Sequence, residues 1–255
     1  MRILAINGSH RGKNGYTAFL IDKMFQGAQV AGANCETINL ASMKITPCAA
    51  CQHCHATESL SHCIYEEKDD VLEIFNHMRE SDLIIFATPV YVFSMSGKMK
   101  TFLDRLHSAG NADTFMITKQ GLFFHYVDRG ICGKPFVTLV CCDNLESETT
   151  KNVVGYFKTY AKFMDANNVG VLIRTSGAAT GQGKDPEKEQ SFPRIQEVYK
   201  AYYQAGKELA LNGRISRKTQ RKANQKVIHI PPMIKQLARF KPVQKIIIEK
   251  EKKMM

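Results

Sequence analysis

The sequence predicts a doubly wound α/β domain, and three observations carry the prediction. Short β-branched runs alternate with longer helical patterns through the first 213 residues. The last helical pattern stops at Leu211-Asn212-Gly213, a C-terminal glycine signal. An apolar content of 44% over 255 residues is enough for one substantial core.

Ile3–Ile6 opens the chain as an unbroken apolar run of strand length, and the pattern over Thr17–Ala31 is long enough for a crossover helix. Thr37–Leu40 reads as the second strand. After a polar, cysteine-rich stretch come a helix at Asp70–Arg79, a strand at Leu83–Ala87 and a third helix at Gly97–Ala109. The link from Ala109 to Gly133 reads as a long loop holding Phe115, Phe123, Phe124, His125 and Tyr126. Long ordered loops are usually functional, so Phe123–Tyr126 is expected to form a lid or a subunit contact. Phe136–Cys142 is the fourth strand, Ser147–Asn167 the fourth helix, Val169–Arg174 the fifth strand and Pro193–Leu211 the closing helix. Five strands with right-handed crossovers point to the flavodoxin-like parallel order 2-1-3-4-5.

Residues 1–213 are therefore read as the domain and 214–255 as a basic C-terminal extension. Thirteen Lys or Arg and two Glu lie from Arg214 onward, so all of the net charge of +11 falls there. Ile230-Pro231-Pro232 and Lys241-Pro242 interrupt any long helix, and Ile246-Ile247-Ile248 precede a charged terminus. Such a tail suits an acidic partner protein, an anionic membrane surface or a solvated arm that supports a dimer. It does not suit nucleic acid, because aromatic residues are nearly absent from it and no reading motif is present. The longest apolar runs are too short to cross a bilayer, and no charged-then-apolar leader opens the chain. A cytoplasmic protein with reduced cysteines is the expectation.

In doubly wound sheets ligands bind beyond the carboxyl ends of the strands. There, Asn7-Gly8-Ser9-His10-Arg11-Gly12-Lys13-Asn14-Gly15-Tyr16-Thr17 reads as a mononucleotide phosphate loop. Its glycines permit a tight turn, its hydroxyls and N–H groups can cup phosphate oxygens, and the following helix start favours an anion. It is neither G-x-x-x-x-G-K-[ST] nor G-x-G-x-x-G, which argues against ATP hydrolysis and a Rossmann dinucleotide site. The plainer reading is an ordinary helix cap. After the third strand, Thr88-Pro89-Val90-Tyr91 leads through Ser96-Gly97-Lys98-Met99-Lys100 into Phe102-Leu103-Asp104-Arg105. Pro89 stiffens this loop, and Tyr91 can set an aromatic face beside a flat ring. Asp104 and Arg105 are expected to pair on the helix surface.

Cys48, Cys51 and Cys54 form C-x2-C-x2-C, and Cys63 follows after a gap of eight residues. Structural zinc sites usually split their ligands into two separated pairs, whereas four thiolates from a run like this hold a [4Fe–4S] cluster. Zinc helped by His53, His55 or His62, or four free thiols, are the other readings. Cys35, Cys132, Cys141 and Cys142 read as small buried hydrophobes. Adjacent in a strand, Cys141 and Cys142 cannot face the same side.

With these residues in place the chain resembles the NADPH-dependent FMN reductase family, whose pattern is G-S-x-R near the start and S-P-V-Y, G, K, F, D-R in the middle. The cysteine loop between them makes it most similar to the iron–sulfur flavoprotein branch. Two departures stand out: His10 sits where the family often has proline, and the gap before Cys63 is longer than the compact spacing usual there. The resemblance implies that Ser9, Arg11, Asn14 and Thr17 hold the FMN phosphate, and that Pro89, Val90 and Tyr91 border the isoalloxazine and ribityl chain. By position alone, Cys142, Asp143 and Asn144 would line the other side of the ring. It also implies electron transfer through FMN and a [4Fe–4S] cluster on Cys48, Cys51, Cys54 and Cys63, with NAD(P)H as a donor and a redox protein or small molecule as acceptor. A homodimer or larger homo-oligomer, with the cluster of one subunit near the FMN of another, completes the expectation. Two other functions stay open: an NAD(P)H-dependent FMN or quinone reductase without a cluster, and a zinc-bearing, non-enzymatic interaction module.

Overall fold

The computed structural model of the chain describes residues 1–55, 62–245 and 249, with the side chains of residues 112 and 113 outside the description. The expected Ile246–Ile248 end of the extension lies outside these residues. A parallel sheet forms the centre, built from β1 (Arg2–Asn7), β2 (Asn34–Asn39), β3 (Leu83–Tyr91), β7 (Phe136–Cys141) and β8 (Asn168–Arg174) in the order β2-β1-β3-β7-β8. Counting parallel strands only, this is the predicted 2-1-3-4-5 order. β1 from Ile3, β3 from Leu83 to Thr88 and β7 throughout are buried on both faces, which is why their sequences are largely apolar runs.

Helices α1 (Tyr16–Val30), α2 (Val71–Glu80), α3 (Gly97–Arg105), α4 (Lys151–Phe163) and α6 (Arg194–Asn212) fall where the helical patterns are, with a short α5 (Pro186–Gln190) before α6. On one face Leu4, Ile6, Ile84, Phe86, Phe136 and Val140 meet Phe75 of α2, Phe102 of α3 and Phe157 of α4. On the other face α1 and α6 lie against each other at backbone distance. A Cβ on Gly27 would stand 1.9 Å from the Tyr203 carbonyl oxygen, and one on Gly206 1.7 Å from that of Met24.

Three expectations change. The 109–133 link is a two-stranded antiparallel ribbon, β5 (Gly110–Ile117) with β6 (Phe123–Val127). The ribbon buries little, leaving Phe115, Ile117 and Phe123 exposed, so no buried face imposed a readable alternation. Asp104 and Arg105 do not pair: Asp104 meets Lys100 one helical turn back, while Arg105 is buried. The compact unit runs from Met1 to Gln225, so residues 214–225, assigned to the extension, belong to it.

The reason lies at the open edge of β8. Helix α7 (Arg217–Ala223) starts on Ser216, whose hydroxyl accepts from Thr219 N, and Glu208 of α6 accepts from Ser216 N and the Thr219 hydroxyl. Gln220 Oε1 then accepts from Val171 N at 2.9 Å, Asn224 Oδ1 accepts from Ile173 N at 2.7 Å, and Asn224 Nδ2 donates to Val171 O at 2.9 Å. Side-chain amides thus occupy the ladder positions of a missing sixth strand and protect the edge. The second unit, Lys226–Met255, contains α8 (Pro232–Leu237), whose first residue is a proline where no intrahelical N–H is needed. Among the described residues no helix is long and apolar enough to cross a membrane.

The Gly27–Gly206 crossing yields a sharp expectation. Alanine favours an isolated helix over glycine by about 1 kcal/mol, yet Gly206→Ala is expected to destabilise the domain by about 3 kcal/mol or more, because backbone and not a flexible side chain blocks the new methyl. The urea midpoint of the purified variant measures this.

Candidate functional site

The loops after β1, β3 and β7 open at one end of the sheet, and the first two are tied to each other. Gly8 N donates to Ala87 O at 2.8 Å. The Ser96 hydroxyl donates to Gly8 O at 2.6 Å and accepts from Met99 N at 3.2 Å, so one side chain caps α3 and fixes the first loop. Thr88 Oγ1 accepts from Ser96 N at 3.1 Å. Within the first loop Ser9 N donates to Asn7 Oδ1, and Ser9 Oγ accepts from Arg11 N. Gly15 is the N-cap of α1 and offers no side-chain cap, which leaves the helix start to an anion. A Cβ there would lie 2.7 Å from Ser9 Oγ, so a side chain at this position would have to displace the Ser9 hydroxyl.

The expected phosphate ligands are gathered on this turn: Ser9 and Thr17 buried, Arg11 and Asn14 exposed. Arg11 lies 5.9 Å over the Tyr16 ring, with no ion pair among the described residues. A loop of this form, with an uncapped helix start, a hydroxyl and a free guanidinium, fits a phosphate monoester such as that of FMN. On the second wall Pro89 and Val90 are half-buried and Tyr91 is exposed, its ring 5.7 Å from that of His10. On the third, Cys142 is buried with its sulfur 3.7 Å from the Thr149 hydroxyl, while Asp143 and Asn144 are exposed. Cys141 faces elsewhere, near Gln182, and complete burial pushes its thiol up to about 12.

A fourth wall escaped the sequence reading. Asp143 Oδ1 accepts from Ala178 N at 2.9 Å, and a Cβ on Gly177 would meet both Asp143 Oδ1 at 3.2 Å and the Tyr16 ring at 3.3 Å. Burial, then Asp143, raises the Tyr16 pKa. The loop after β8 therefore closes on α1, and its signal was the small-residue run Gly177-Ala178-Ala179-Thr180-Gly181.

The β3 end carries a second device. β4 (Ser94–Met95) pairs back on Val90 and Tyr91, leaving Val92 and Phe93 as a two-residue turn with φ of +47° and +65°. Such turns normally use Asn-Gly, and a β-branched residue at positive φ is an outlier. Both side chains project outward, 89% and 60% exposed. Strain of this kind collects at functional sites.

The cysteines make a separate pocket. Cys48, Cys51, Cys54 and Cys63 all line it, together with Tyr65, Arg105 and His107. Cys54 is the buried one: burial and then Cys63 raise its pKa, and Cys48 and Cys51 act in the same direction. Four thiols lining one pocket fit a cation centre, since a coordinated thiol is deprotonated outright. Ala50 and Gln52 take φ of +52° and +60°, so the backbone reverses its hand between successive cysteines, a conformation that wraps concave centres. Part of the span, residues 56–61, lies outside the described residues.

Arg105 and Asp69 hold this loop. Their side chains are 2% and 0% exposed. Arg105 Nη1 donates to Asp69 Oδ2 and to Thr46 O, and Thr46 N and Val71 N donate to the same carboxylate. Burial alone would raise the Asp69 pKa, but the Arg105 hydrogen bond and the two backbone donors hold it below the usual carboxylate range. Arg105 Nε is buried without a hydrogen-bond partner among the described residues. Three histidines flank the pocket: the rings of His55 and His107 are 4.2 Å apart, and that of His125, brought by β6, is 6.2 Å from His55. Burial, then His55, lowers the His107 pKa. The contacts of the 123–126 segment are thus with the cysteine side through His125, and with α4 through Phe124 on Phe163.

Two outcomes follow. Val92→Asn with Phe93→Gly, residues that adopt the turn without strain, is expected to stabilise the protein by about 1–3 kcal/mol, read from the urea midpoint. Asp69→Ala is expected to cost about 3–5 kcal/mol by stranding Arg105. Because the folded pKa of Asp69 is depressed, its contribution is complete above the unfolded pKa of about 3.9 and is lost as pH falls through the lower folded value. Acid unfolding curves of native protein and variant should therefore converge only below about pH 4.

Comparison with known proteins places this geometry. Residues 1–131 match the family described as NADPH-dependent FMN reductase. An iron-sulfur flavoprotein of Archaeoglobus fulgidus is 32% identical over 114 residues, 45% of this chain and 49% of that protein. An iron-sulfur flavoprotein of Clostridioides difficile is 24% identical over 204 residues, 79% of this chain and 78% of that one. The aligned part of the chain thus spans only about half the length of the Archaeoglobus relative. The crystal structure of an FMN-dependent NADH-azoreductase from Bacillus anthracis in complex with FMN superposes with a TM-score of 0.58 over 82% of this chain and all of that one, at 14% identity, which speaks for the fold alone. With half of its length matched and the flavodoxin-like sheet in place, the chain belongs to the NADPH-dependent FMN reductase family.

Proposed function

We propose that the protein is an FMN-dependent oxidoreductase that takes electrons from NAD(P)H and passes them through a [4Fe–4S] cluster held by Cys48, Cys51, Cys54 and Cys63. The observation that carries the reading is the convergence of those four thiols on one pocket, with the Cys54 sulfur under the influence of the other three. FMN, when bound, supplies hydride acceptance and single-electron release, and a cluster takes electrons one at a time. The chain supplies the positions. Ser9, Arg11, Asn14, Thr17 and the start of α1 hold the phosphate; Pro89, Val90 and Tyr91 form one wall for the ring, and Cys142, Asp143 and Asn144 the other. No side chain in the crevice has to act as an acid or a nucleophile. Arg105, its charge met by Asp69, still presents a buried Nε–H donor at the cysteine pocket, which favours an anionic, thiolate-ligated centre.

Iron, acid-labile sulfide, zinc and FMN per chain, measured on protein purified without oxygen, test the proposal. About four irons and one FMN are expected. Cys54→Ala should lose the iron and keep the flavin, and NADPH should bleach the flavin anaerobically. FMN without iron or zinc would make the chain a reductase of flavins or quinones, and zinc without flavin would leave an interaction module.

A further inference from the structure

The cysteine pocket contains a donor set that the four thiols do not exhaust. One ligand atom each from Cys54, His55 and His107 lie within 4.8 Å of one another. The two imidazoles come from different parts of the chain, His55 from the cysteine loop and His107 from the turn after α3, and their ring centroids are 4.2 Å apart. His55 Nε2 is buried and has no hydrogen-bond partner among the described residues. A buried imidazole nitrogen left unpaired costs free energy that a cation would recover. Ligands bound tetrahedrally to zinc at about 2.0–2.3 Å stand about 3.3–3.8 Å apart, so small rotations of the two rings complete the geometry. One thiolate and two imidazoles with a fourth position open to water is a zinc donor set, and its borderline softness suits zinc better than magnesium or calcium.

We propose that Cys54, His55 and His107 bind one zinc ion, with release of the Cys54 thiol proton, and that zinc here and a cluster on the four cysteines exclude each other because both need Cys54. The exclusion rests on the cluster reading; the zinc site does not.

The test is a titration of the full-length, metal-free chain with Zn2+ against a chromogenic chelator, without oxygen, followed by loading with iron and sulfide. One zinc per chain is expected. His107→Ala and His55→Ala should each weaken it by more than about tenfold. His53→Ala, on the same loop but outside the donor set, should bind zinc unchanged. Zinc-filled protein should fail to load a cluster. Should His107→Ala not fold, His55→Ala carries the same test. Native zinc affinity in both histidine variants, or zinc and four irons together in one chain, would overturn the proposal. Zinc bound through His107 in a chain that never loads iron would support the site and sink the cluster reading alone.

Discussion

The buried pair of Arg105 and Asp69 is the interaction on which the metal-binding half of the molecule depends. Removing two charges from water costs several kcal/mol per ion, and the attraction between them offsets that only when their other polar atoms are also bonded. Here those of the carboxylate are: it accepts from Thr46 N and Val71 N as well as from Arg105, which also donates to Thr46 O and leaves its buried Nε without a partner among the described residues. Thr46 precedes the first cysteine of the loop and Asp69 follows the last, so both roots of the loop are fastened to the end of α3. His107 and Ser108 leave that same helix and line the pocket. One charge pair therefore sets where the thiols are and which imidazole they meet.

The crevice at the strand ends is organised by hydrogen bonds to backbone and not by a buried ion pair. Ser96 caps α3 and bonds Gly8 O, so the β1 and β3 loops are held to each other. Asp143 reaches the backbone of the β8 loop, which closes over Tyr16. An uncapped helix start faces this enclosure, and the fixed N–H dipoles there need no rearrangement to receive a phosphate. Both sites also hold residues other than glycine at positive φ: Val92 and Phe93 beside the crevice, Ala50 and Gln52 in the cysteine loop. Much of the backbone strain thus lies where ligands are expected.

The sheet was legible in the sequence because a parallel strand covered on both faces must be continuously apolar, and the helices because their crossovers must be long. The two loops rich in small residues and the cysteine spacing were legible as local motifs. What escaped has a common physical cause. The β5–β6 ribbon buries too little to impose alternation. Helix α7 serves the β8 edge with Gln220 and Asn224, amides that in one dimension are indistinguishable from surface residues. Arg105 looked like the partner of its neighbour Asp104, whereas its charge is met by Asp69, 36 residues away.

The sequence by itself determined the types and order of the central strands and crossover helices, the hand of the crossovers and the presence of four metal-competent thiols, since all of these follow from local pattern and backbone chirality. Only the tertiary structure decided that the four thiols share a pocket, that His107 approaches Cys54 across 53 residues, and that the β8 loop completes the crevice. Ligand convergence is a long-range contact, and its distance depends on how the layers settle against one another.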